Sequence, residues 1–142
     1  MTYHNDDFYE WIHQQATLLR EKRFNELDIE NLVAELESMG RWEKHDLESH
    51  LEQLLAYLLM WRFCLSKKNK QLELNIEEQR LRIINILHDN PSLENHLTGL
   101  INNIYPLVVI KVELETGMSK KDFPNKCPWS WKTVLNSSIL VL

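Results

Sequence analysis

The stretch "DIENLVAELESMGRWEKHDLESHLEQLLAYLLMW", residues 28–61, decides the fold. Asp28 suits a helix N-cap, where a carboxylate accepts from the free N–H groups of the first turn. Ile29, Leu32, Val33 and Leu36 then recur at the spacing that lines one helix face. From Leu36 to Leu47 is eleven residues, close to three full turns, so the stripe resumes in phase as Leu47, Leu51, Leu54 and Leu58. Between the two halves Met39-Gly40 offers a stop, because glycine readily takes the left-handed conformation of a helix C-terminus. One long helix kinked at Gly40 and two separate helices fit equally well. Either way a break or bend is expected at residues 39–41.

Outward from this stretch the same period continues. Phe8, Trp11, Ile12, Ala16 and Leu19 form an earlier stripe, capped by Asn5 or Asp6. After a polar loop at 66–71, Leu72, Ile76, Ile83, Ile84 and Leu87 mark a third helix. Asn90-Pro91 starts the next one, since the N–H that proline lacks would be unpaired there anyway. It runs to Gly117 and contains Pro106, which should bend it by removing one backbone bond. A last short helix covers Trp129 to about Leu135. The expectation is an all-α, single-domain bundle of five or six helices over residues 1–142, kinked or broken near Gly40 and bent near Pro106. The apolar end, residues 136–142, is expected to be disordered or docked on a neighbour.

Composition agrees with helices. The chain has 142 residues with 44% hydrophobic and 26% charged side chains, and only 3 Gly and 4 Pro to punctuate short strands. Cys64 and Cys127 are too few for a four-thiolate zinc site, and no CxxC is present. The opening "MTYHNDDFYEW" is polar and acidic, unlike a signal peptide. The apolar run Leu54 to Leu65 is short of the ~20 residues that span a bilayer. These readings place the protein in the cytoplasm with no membrane partner. Net charge is −5 overall, with 6 basic and 13 acidic side chains in residues 1–65 against 10 and 8 in residues 66–142. An acidic half repels phosphate backbones, and the short clusters Lys67, Lys68, Lys70 and Lys120, Lys121 lack interleaved aromatics, so nucleic acid is disfavoured.

The polar constellations are weak as chemistry. Glu30 and Glu37 flank the stripe on one side, Asp28 and Glu35 on the other, as expected of a solvated helix face. Glu30, Glu37, Glu43 and His50 are the metal-ligand candidates, but Glu10-x-x-His13 has no second copy to complete a di-metal bundle. Asp46 and His50, four residues apart, could meet as a catalytic base pair, although no nucleophile is tied to them by spacing. Arg80 falls within the stripe of Ile76, Ile83, Ile84 and Leu87. A charge facing a core requires a partner, and Glu43 or Glu37 is the expected one. The run "LLAYLLMWRFCL" is apolar nearly all round, so Leu55, Leu59, Trp61 and Phe63 are interface candidates and a homo-oligomer is expected.

Several stretches taken in order, "DFYEWIHQQATLLR", "RFNELDIENLVAELESMGRWEK", "LLAYLLMW", "IEEQR", "PSL", "ETGM" and "FPNKCPW", resemble the bacterial, largely cyanobacterial, domain of unknown function family 29. The resemblance spans Asp7 to about Leu135. It implies an all-helical domain and no established activity, cofactor or substrate. Tyr57, Met60, Leu72, His45, His50 and Pro106 depart from the family pattern, which sets the Asp46–His50 pair apart from any shared site. The favoured function is a non-enzymatic module for self-association or protein binding, with no cofactor. The alternative is a small metal-dependent or acid–base enzyme using the acidic segment 30–50.

Overall fold

The structure, a computed structural model, describes residues 7–142. The fold is all-α, with five α-helices, short 3₁₀ turns between them and no strand among the described residues. α1 (Phe8–Arg20) begins at Asp7, whose carboxylate accepts from the Glu10 N–H. Asn5 and Asp6, the caps expected from sequence, lie outside the described residues. α2 (Ile29–Phe63) is followed by α3 (Lys70–Asp89), α4 (Leu97–Thr116) and α5 (Trp131–Asn136).

α2 resolves the choice left open by periodicity. It is one helix of 35 residues, and the expected stop at Met39-Gly40 does not occur. Gly40 keeps an ordinary helical backbone, and among the glycines only Gly117, at φ 74°, takes the left-handed conformation, where it ends α4. The physical reason is cooperativity: each added residue of a formed helix gains a backbone bond, and a single glycine costs only about 1 kcal/mol.

Two compact units divide the chain, residues 1–42 and 43–142, with the boundary inside α2. In the first, Trp11 is 2% exposed and Gln15 is buried beside it. Both hold Asp28: the indole Nε1 donates to Asp28 Oδ2 at 3.0 Å, and Gln15 Oε1 accepts from the Asp28 N–H at 2.9 Å. Asn31 Nδ2 donates to the same carboxylate at 2.8 Å. Asp28, just before α2, therefore ties the turn between α1 and α2, which a sequence stripe does not reveal.

The second unit has the larger core. Leu47, Leu51, Leu54, Leu55, Leu58 and Leu59 of α2 are fully buried, against Ile76 and Ile83 of α3 and Leu97, Ile104, Val108 and Val112 of α4. Asn90, expected as the cap of a new helix, instead turns its side chain back: Nδ2 donates to the Ile86 carbonyl at the end of α3. Pro91–His96 then forms a 3₁₀ turn before α4. Near the end of the chain Leu140 is exposed, whereas its neighbour Ile139 is held through its main chain. Trp61 Nε1 donates to the Ile139 carbonyl at 3.1 Å, and Ile139 and Leu142 pack on the same core.

Residues Pro91–Thr116 form a segment long and apolar enough by length and composition to cross a membrane, longer than the 54–65 run singled out from sequence. Eight α4 side chains, from Leu97 to Val112, are buried in the core of the second unit, while Leu107, Ile110 and Leu114 of the same helix are exposed.

Candidate functional site

His50 and Asp46 do meet, on the surface of α2. His50 Nε2 lies 3.5 Å from Asp46 Oδ1, and Nδ1 lies 2.8 Å from Oε1 of the buried Gln79 on α3. Both ring nitrogens therefore face oxygens of fixed neighbours. No hydroxyl or thiol among the described residues bonds the imidazole. It stitches α2 to α3.

The expected ion pair of Arg80 is absent. Its Nε donates to the Val134 carbonyl at 2.9 Å and its Nη2 to the Thr133 carbonyl at 3.4 Å, and it has no carboxylate partner among the described residues. The reason lies in α5. A helix leaves its last carbonyls without intrahelical donors, and a cation at that end satisfies them while complementing the helix dipole. Burial pushes the guanidinium pKa below its usual value, without any carboxylate to oppose the shift. Glu43, the expected partner, is exposed and receives only a long contact, 3.4 Å, from Asn90 Nδ2. Glu37 and Glu30 are exposed. Among the described residues no three His, Cys, Asp or Glu side chains converge as a metal-ligand group, so Glu30, Glu37, Glu43 and His50 are not brought together.

The interface candidates are likewise relocated. Leu55 and Leu59 are fully buried, Trp61 nearly so, and Phe63 packs edge-on against Phe123. A helix that is apolar all round is here enclosed by its own unit rather than left for a neighbour.

A cleft of about 430 Å³ opens beside Pro106, lined by Asn102, Tyr105, Asn125, Lys126 and Cys127. α4 continues through Pro106, which has no N–H to give the Asn102 carbonyl. The cleft is poor in reactive groups. The Tyr105 hydroxyl donates to the Pro124 carbonyl at 2.8 Å, and burial raises the Cys127 pKa and so keeps the thiol protonated.

One exposed apolar surface lies in the first unit; another, Leu107, Ile110 and Leu114 of α4, lies in the second. On α2, Ile29, Val33, Leu36 and Met39 are exposed, Leu36 to 66% and Met39 to 63%. Phe8, Ile12 and Leu19 of α1 are also exposed by more than a third. All of these but Met39 belong to the stripes that the helical period assigned to a core. The stripe was legible; its lack of cover was not, because burial depends on what packs against a face, which no local period records.

Among known proteins, the family model described as "Domain of unknown function DUF29" matches residues 3–140. No curated protein and no solved structure matches the chain.

Proposed function

The chain belongs to the DUF29 family, and from that premise we propose that it is a helical protein-binding module whose docking element is the first unit. The observation that carries this reading is the bare stripe Ile29, Val33, Leu36 and Met39 on α2. Large apolar side chains exposed in a row, rather than scattered singly, mark an interaction surface, because covering them releases ordered water at little geometric cost. Catalysis has no comparable support: the Asp46–His50 pair lacks a nucleophile, and the cleft beside Pro106 holds a bonded phenol and a protonated thiol. Two cysteines that form no disulfide, Cys64 and Cys127, fit a reducing cytoplasm, where we place the protein.

The test is quantitative capture from native cytoplasm with the tagged full chain beside its Ile29→Ser/Leu36→Ser variant. Both positions are exposed, so the variant should keep its helicity and melting temperature. A protein held stoichiometrically by the wild type and lost from the variant is the expected result. Identical captured sets would overturn the reading.

A further inference from the structure

The stripe on α2 has a rim, and the rim has one sign. From Asp28 to Gly40 the sequence carries Asp28, Glu30, Glu35 and Glu37 and no lysine, arginine or histidine. Spacings of seven residues put Glu30 and Glu37 along one side of the stripe and Asp28 and Glu35 along the other. Asp28 is spent on Trp11, Asn31 and Gln15, which leaves Glu30 and Glu37, both exposed, and the half-exposed Glu35 as the outward rim. The imbalance extends to the whole unit. Residues 1–42 hold 9 acidic and 4 basic side chains, a balance of −5, and residues 43–142 hold 12 of each. All of the net charge of the chain sits on the unit that bears the uncovered stripe.

Resting on the docking role proposed above, we infer that the occupant of this surface is a basic amphipathic helix of another protein, its apolar stripe on Ile29, Val33, Leu36 and Met39 and its lysines or arginines against Glu30, Glu37 and Glu35. Helix-in-groove recognition supplies the affinity from apolar anchors, and flanking charges choose the partner and its register. A second copy of the same unit is the wrong occupant. It would bring a second net charge of −5 to the same interface, and like charges across an apolar seam select against the pairing. Met39 adds to the fit, since a flexible thioether adapts to varied apolar partners.

The test uses the full chain and two labelled synthetic peptides sharing one leucine stripe, flanked by lysine in the first and by glutamate in the second. Fluorescence anisotropy should show the lysine peptide binding and weakening as salt rises from 50 to 300 mM, values chosen to shorten the screening length, with the glutamate peptide bound far less. Glu30→Lys/Glu37→Lys should weaken the lysine peptide about tenfold, as two attractions become two repulsions. Glu77→Lys/Glu94→Lys, reversing the same number of exposed charges in the second unit, should leave it within about twofold and so controls for bulk charge. Equal binding of both peptides, with loss in Ile29→Ser/Leu36→Ser, would overturn the basic class of partner while leaving a docking surface. A concentration-dependent dimer in sedimentation equilibrium, lost in the same apolar variant, would make a second copy the occupant and overturn the inference. Binding of neither peptide, together with unchanged capture by the apolar variant, would remove the docking role itself.

Discussion

At the scale of single residues, a half-buried guanidinium and a buried phenol are answered by the main chain, and that is why sequence reading misassigned or missed them. The periodicity of α3 correctly marked Arg80 as a charge facing inward, but the acceptors it finds are the Val134 and Thr133 carbonyls, which no residue letter encodes. Arg80→Met should therefore cost about 1–3 kcal/mol by leaving the Val134 carbonyl without its donor, while the Thr133 carbonyl keeps the Ser137 N–H. Glu43→Gln should stay within about 0.5 kcal/mol, since no pair is broken. Urea unfolding of both variants decides between the carbonyl and carboxylate accounts. Tyr105 presents the same logic in neutral form. Burial, with Cys127 adding to it, pushes its phenol up to about 12 from an ordinary 10. The folded chain thus holds this proton more tightly than the unfolded one, so the contribution is intact below about pH 10 and is lost as pH climbs toward 12. A spectrophotometric titration of the native protein should show one phenol ionising late, and Tyr105→Phe should remove that step while costing about 1 kcal/mol at neutral pH.

At the scale of the element, α2 carries most of the lesson. Its all-helical character, its phase across eleven residues and its start just after Asp28 were legible because they follow from local spacing. The glycine stop was not, because a helix interrupted only by glycine keeps its backbone ladder when the flanking turns are held. Apart from its chain neighbours and the helix's own nearby backbone, no atom lies within 4 Å of where a Cβ at Gly40 would sit. Gly40→Ala should raise stability by up to about 1 kcal/mol through lost unfolded-state entropy, whereas Gly117→Ala should lower it by a similar amount at its positive φ. A destabilised Gly40→Ala in thermal unfolding would mean that α2 is broken there after all. The stripe itself divides in cost though not in period. Leu58 is fully buried and Leu36 is 66% exposed. Leu58→Ala should cost about 2–5 kcal/mol, and Leu36→Ala less than about 0.5. Sequence alone assigns both to one apolar face, and only the packing around each separates a core residue from a docking residue.

At the scale of the molecule, charge and burial are divided between the same two segments. The second unit is neutral and encloses the leucines of α2 with α3 and α4. The first carries the whole net charge and buries little beyond Trp11 and Gln15, its order resting on the Asp28 hydrogen bonds. Regions with few buried apolar contacts open locally at low cost, and such regions commonly provide binding elements. Amides in the last two turns of α1 should therefore exchange through openings of about 1–3 kcal/mol, while those of α4 should follow global unfolding. Leu58→Ala separates the two, since it should accelerate exchange across α4 and leave α1 unchanged. Equal protection in both helices, falling together in that variant, would show that the first unit has no separate opening. If it opens separately, a partner seated on Ile29, Val33, Leu36 and Met39 must stabilise it by mass action, about 2.7 kcal/mol at a hundredfold excess over Kd. The added protection should be concentrated in α1 and the first three turns of α2. A gain spread evenly over α4 would instead locate the binding surface on the second unit.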